Sequence, residues 1–279
     1  MGASDLVPGV SGGTIALVLG IYEELIGAIK SFDTIFVKKL FLLNIKDALD
    51  HVSWRFLLAV GAGILTAIFS LAKILSLLLQ NHPVLIWSFF FGLIFASILI
   101  VSRHIDKWSL LTIVFVTLGS IFTYYIIGIV PAQIPDTPLF LFMSGVLAIC
   151  AMILPGISGS FILVMLGKYH YILDAVNNLD IFVLLLVGAG GLTGLIIFVR
   201  LINWLLSNYY DLIIALLTGM MIGSLRKIWP WKSENSPACI DNILPLQWNY
   251  EVMIAFLLSI TGFFIVYLLN YLLDKRQNL

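Results

Sequence analysis

Two short stretches hold the residues best suited to chemistry. Ser11, Gly12, Gly13 and Thr14 follow the pair Pro8-Gly9, and Ser158, Gly159 and Ser160 follow Pro155-Gly156. A proline-glycine pair stops a helix, and a serine just after it is suited to cap the next one. Glycines there let a ligand approach the backbone, while the first N–H groups and the positive end of the helix dipole point outward. Such an end suits a phosphate or carboxylate, with Thr14 and Ser160 adding hydroxyl donors. Small residues also serve simply to pack membrane helices closely. The repetition of Pro-Gly-x-Ser-Gly favours an anion site built from two opposed helix N-termini.

The elements that must position these residues lie in a membrane. Of 279 residues 61% are hydrophobic and 11% charged, against roughly 25% charged in soluble domains. Fifteen basic and fifteen acidic side chains cancel, so no net charge argues for nucleic acid. Cys150 in an apolar run and Cys239 in a polar loop make no disulfide framework or metal cluster, and no cleavable signal is visible. Nearly uncharged runs at 56–79, 84–101, 108–130, 181–206 and 252–273 approach or exceed the ~20 residues of a spanning helix. The run 212–225 is short and glycine-rich for a span. Residues 138–154 and 157–167 would make one long helix, but continuing through Pro155-Gly156 costs about 3 kcal/mol or more, which favours two half-helices meeting at a turn. The stretch 13–29 reads the same way, and 34–45, with Lys38 and Lys39, reads as an interfacial segment.

The chain is also internally repeated. An offset of 147 pairs Pro8 with Pro155, Ser11 with Ser158, Gly12 with Gly159, Gly20 with Gly167 and Tyr22 with Tyr169. An offset of 127 pairs GAGILTAIF from Gly61 with GAGGLTGLI from Gly188, Lys73 with Arg200 and Gly92 with Gly219. The expected fold is therefore an all-α integral membrane protein of two repeats, 1–130 and 138–273, each a broken hairpin followed by about three spans. Three is odd, so the second copy enters from the opposite side and the repeats are inverted, as in many secondary transporters. Lys30, Lys38, Lys39, Lys46, Arg103, Lys107, Lys275 and Arg276 then fall on one side, read as cytoplasmic, and Arg226, Lys227 and Lys232 on the other.

Lys73 shares a helical face with Thr66 and Ser70, and Arg200 repeats that spacing from Thr193. A cation deep in a span costs roughly 2.5–3.5 kcal/mol, which argues for use. Both also lie about 9 Å from a span end and can snorkel, so ligand contact and snorkelling stay open. Asp5 is a candidate for a coupling proton, whereas Glu23 and Glu24 read as solvated at the interface. His51, His82, His104 and His170 share no metal-ligand spacing, so neither metal nor cofactor is expected. Trp54, Trp108, Trp204, Tyr209, Tyr210 and Trp248 read as an interfacial aromatic belt.

At MGASDLVPGVSGGTIALVLGIYEELI and LPGISGSFILVMLGKYH the chain resembles the bacterial polyprenyl-phosphate transporter family, over essentially its whole length. The resemblance implies a flippase in the bacterial cytoplasmic membrane. It would return undecaprenyl phosphate, the lipid carrier of cell-wall synthesis, to the cytoplasmic leaflet. Such sequences usually have more residues before the first motif, so the chain is expected to begin late and to lack half of its first hairpin. On this reading Ser11, Gly12, Gly13, Thr14, Ser158, Gly159 and Ser160 bind the phosphate and Arg200 and Lys73 assist. Its partners are the polyprenyl phosphate and membrane lipids, with a homo-oligomer allowed.

Two rivals differ in kind. A membrane prenyl-pyrophosphate phosphatase would carry an arginine where Gly12 and Gly159 stand, and metal-binding acids to stabilise phosphoryl transfer. A small-anion channel or exchanger would aim the same broken helices at a closed aqueous pore.

Overall fold

A computed structural model describes residues 1–5, 11–42, 44–129, 134–233, 242–245 and 247–277. Pro8, Gly9 and Cys239 lie outside the described residues, as does the side chain of Asp5. Apart from one isolated bridge between Lys232 and Asn242, the described secondary structure is helical.

A short α1 (Gly2–Asp5) and α2 (Gly12–Val18) flank the first motif, and α3 (Tyr22–Lys30) leaves α2 at a bend of 118°. The bend falls after Val18 at Gly20, whose φ of +67° is left-handed backbone that glycine adopts without strain. Its repeat partner Gly167 has φ +66°. The sharp bend between helices in this stretch is therefore at the second glycine of the repeat, a position the proline-glycine signal did not mark. Two short helices, α4 (Thr34–Phe41) and α5 (Ile45–His51), fill the segment read as interfacial.

The spans follow as α6 (Trp54–Asn81), α7 (Pro83–Ser102) and α8 (Leu110–Gly128), each long and apolar enough to cross a membrane. α8 opens with a capping box in which Ser109 and Thr112 bond each other's backbone N–H groups. The second motif lies between α9 (Pro138–Ile153) and α10 (Gly159–Met165) and is followed by α11 (Tyr169–Asn177). The buried Lys168 bonds the Ile134 carbonyl and the Asp136 carboxylate, so the chain after α10 returns to where α9 began.

The run 181–206 and the short run 212–225 belong to one helix, α12 (Ile181–Ile228), with a single non-helical residue at Tyr209. At 1.5 Å per residue its 48 residues would reach about 70 Å, more than twice the ~30 Å hydrocarbon core. It is two crossings joined at Tyr209, and the short run is a span because it inherits its first turn from the bend. α13 (Tyr250–Gln277) is the last span.

Packing is governed by glycines at which helix backbones touch. A Cβ on Gly92 would strike the Ser259 carbonyl of α13, and one on Gly262 would strike the Phe89 carbonyl of α7. Gly219 meets Val116 of α8, and Gly119 meets Leu216 of α12, in the same way. Val84 and Val252 line one groove while the Phe95 and Phe263 rings lie 6.3 Å apart, so α7 and α13 run in the same direction. Gly119 against Leu216, and Arg226 against the Tyr124 carbonyl, set α8 and the second crossing of α12 in the same direction too. The core between them is apolar, with Ile94, Ala215 and Met221 fully enclosed.

Gly219→Ala should therefore force two backbones apart and destabilise by about 1–3 kcal/mol. Gly188→Ala, at a glycine with open space, should not. Thermal unfolding of the two variants in detergent checks this.

Candidate functional site

The two motifs touch. Ser11 occupies the N-cap of α2, where its Oγ accepts the Gly13 N–H at 3.1 Å. The same hydroxyl lies 3.1 Å from the Leu154 carbonyl and 3.2 Å from the Met152 carbonyl, and its single proton is shared between them. Those carbonyls close α9, whose last turn has no following turn to serve them. A Cβ on Gly13 would come within 2.5 Å of the Ile153 carbonyl, so glycine is what lets α2 start against the end of α9. The Tyr22 hydroxyl, buried, adds a long bond of 3.4 Å to the Ile153 carbonyl.

Thr14, in the first turn of α2, is fully buried, and among the described residues its hydroxyl has no hydrogen-bond partner. An unsatisfied buried hydroxyl costs about 1–3 kcal/mol, so such groups are rare without a reason.

The second motif is built alike but differently used. Ser158 caps α10 by accepting the Phe161 N–H at 3.3 Å, and its Oγ lies 3.3 Å from that of Ser160, which is exposed. Gly156, with φ +87°, turns the chain between α9 and α10, and its Cβ would lie 2.9 Å from the Met220 carbonyl of α12. Gly159 starts α10 against the Ala148 carbonyl, 2.6 Å from its Cβ position.

The two helix stubs lead to opposite ends of α7. Leu17, near the end of α2, and Gly20 just past it share a cavity of about 190 Å³ with Val101 and His104. Phe161 of α10 instead lies under Lys227, in the last turn of α12, and Lys232 just beyond sits on Trp87 near the start of α7.

Lys73 and Arg200 are both exposed. Arg200 lines a groove with Lys30, Asp33 and His51, and among the described residues no hydrogen bond or ion pair joins it or Lys73 to either motif. In that groove Asp33 accepts the Phe36 and Ile35 N–H groups and pairs with His51 at 3.2 Å. These bonds, that from Phe36 foremost, hold its carboxyl below the usual range. Thr66 and Ser70 line a groove of about 610 Å³ between α1, the end of α2 and α6. Among the described residues no group of three His, Cys, Asp or Glu side chains could hold a metal.

Sequence reasoning treated Lys227 and Lys232 only as loop charges. Both are mostly buried, and burial pushes the Lys232 ammonium below the usual lysine range. The spacing of Met220, Ser224 and Lys227 on one helical face was the available signal.

At least five apolar helices of spanning length define a multi-pass membrane protein. Residues 1–241 match the family described as VCA0040-like, undecaprenyl phosphate translocase-like, and the chain belongs to that family. A polyprenyl-phosphate transporter of Vibrio cholerae serotype O1 is 44% identical over 236 residues, covering 85% of this chain and 77% of that protein. A polyprenyl-phosphate transporter of Staphylococcus aureus is 34% identical over 253 residues, covering 84% of this chain and 85% of the relative. No solved structure matches.

The two motif serines should differ in weight. Ser11→Ala removes a cap and leaves α9 carbonyls unpaired, a loss of about 2 kcal/mol or more. Ser160→Ala should stay within about 0.5 kcal/mol. Denaturation midpoints of the two purified variants distinguish them.

Proposed function

We propose that this chain is a flippase that moves polyprenyl phosphate, undecaprenyl phosphate foremost, across the bacterial cytoplasmic membrane. It would thereby recycle the carrier used in cell-envelope synthesis. The names of its relatives support the substrate class. The prenyl tail can stay in lipid, so only the phosphate needs a polar way through the hydrocarbon. We read the chain as two inverted repeats, 1–130 and 138–273, whose re-entrant broken helices present the motifs from opposite faces. The opposite courses of α2 and α10 support that reading.

The observation that carries the phosphate half of the proposal is Thr14. In the first motif the Ser11 hydroxyl is consumed in holding α2 to α9, while the Thr14 hydroxyl is buried with no hydrogen-bond partner among the described residues. A phosphate oxygen passing between the breaks would supply its acceptor. Gly12, Gly13, Ser158, Gly159 and Ser160 complete the proposed path, with Ser158 and Ser160 offering paired hydroxyls on the second side. Transport without hydrolysis fits glycine at the two positions where a phosphatase of this kind carries arginine.

Thr14→Val keeps the shape and removes the hydroxyl. Stability should hold or rise, because no hydrogen bond is lost, while transbilayer movement of labelled undecaprenyl phosphate in liposomes falls about tenfold, a 1.4 kcal/mol effect. Wild-type transport by Thr14→Val and by a Ser158→Ala, Ser160→Ala double variant would overturn the path. Release of phosphate from prenyl pyrophosphate by the purified protein would overturn the transporter reading itself.

A further inference from the structure

The phosphate path uses the hydroxyls of the breaks but leaves two mostly buried lysines unexplained. Met220, Ser224 and Lys227 are spaced four and three apart, so they share one face of α12. The first two abut the second break: a Cβ on Gly156 would lie 2.9 Å from the Met220 carbonyl and 3.2 Å from Ser224 Cβ. The third holds its ammonium 3.6 Å from the centre of the Phe161 ring, in the first turn of α10. One stripe thus leads from the break to Lys227. Lys232 follows in the turn after α12, donating to the Lys227 carbonyl at 2.6 Å and lying 4.6 Å from the Trp87 ring centre.

Among the described residues neither ammonium meets a carboxylate. The ion pairs among the described residues are His51 with Asp33 and Lys168 with Asp136. Arg226, the neighbour of Lys227, is occupied differently: its Nη1 donates to the Tyr124 carbonyl at 2.9 Å and its guanidinium lies 4.2 Å from the Tyr124 ring centre. Aromatic faces offset part of the cost of desolvating Lys227 and Lys232, but among the described residues no carboxylate balances the two like charges.

The internal repeat sharpens the point. The offset of 127 sets Ile100 in the place of Lys227 and Ile105 in the place of Lys232. Both isoleucines are buried, at 3% and 4% exposure. The same fold position therefore accepts an apolar side chain, and the lysines are not needed to build the helix end.

We propose that Lys227 and Lys232 form a docking station for a phosphate monoester at the face of the membrane where α12 ends. From there the stripe through Ser224 and Met220 leads to the second break. A phosphate monoester carries about −1.5 to −2 charges near neutral pH, which matches two ammonium groups. The Phe161 and Trp87 rings give the station apolar walls suited to the first units of a prenyl chain. The proposal rests on the phosphate-transport reading above, and it assigns a station to one face only.

The test uses the full chain in lipid nanodiscs, titrated calorimetrically with geranyl phosphate and separately with inorganic phosphate, beside Lys227→Ile and Lys232→Ile. Both substitutions should weaken geranyl phosphate binding at least tenfold while the thermal midpoint holds or rises. Lys227→Arg keeps a positive charge that can hydrogen-bond phosphate, and should retain more of the binding than Lys227→Ile. Undiminished binding by both isoleucine variants would overturn the station, and so would weaker binding that simply follows a lowered thermal midpoint. If wild type still translocates labelled undecaprenyl phosphate in that case, lipid transport stands without the station. If wild type takes inorganic phosphate but not geranyl phosphate, and the isoleucine variants lose it, the station stands and the lipid reading falls. Wild type that binds neither probe overturns the station.

Discussion

A helix that stops against another helix inside a bundle leaves carbonyl groups in need of a donor, and the packing of this bundle has to supply one. At the end of α9 the carbonyls of Met152 and Leu154 are served by Ser11, a residue some 140 positions earlier in the chain. The same oxygen caps α2 through the Gly13 N–H. One hydroxyl therefore satisfies two interrupted helices at once, which is how irregular backbone survives at depth. The contact also fixes the distance between the two motifs, because Gly13 has no side chain to hold α2 away from Ile153.

Around that junction the bundle is assembled by backbone contact. Lipid offers little hydrophobic incentive for helices to associate, so close approach at small residues has to supply it. The pairs Gly92 with Gly262 and Gly119 with Gly219 do this at matching positions of the two halves, each joining a helix of one half to a helix of the other. The halves are interlocked by this exchange, and the breaks lie among the helices so joined.

Much of this was legible in the sequence. Charge-poor runs marked the spans because hydrocarbon excludes charge, and Pro155-Gly156 marked the break between α9 and α10 because a helix cannot continue through it. The serines read as caps, and both occupy N-cap positions. What escaped has physical reasons. The bend between α2 and α3 sits at Gly20, and a lone glycine in an apolar run is an ambiguous sign. The join at Tyr209 has no proline or glycine to announce it, so a short run looked too short to span. That Ser11 is tied to α9 while Thr14 is not depends on contacts across the fold. Lys227 and Lys232 precede a polar stretch, so composition alone placed them in water. Only the packing of α12 against α10 and α7 covers them.

The two crossings of α12 are continuous, and this has a mechanical consequence. The first crossing is pressed against α9 through Gly190 and Gly194, and the second against α8 through Gly219 and Gly223. No slack loop separates them; one residue, Tyr209, interrupts the helical backbone. Any rocking of α9 relative to α8 must therefore concentrate at that point, as load on a bent lever concentrates at its fulcrum. Tyr209 is the joint between the crossing packed on α9 and the crossing packed on α8.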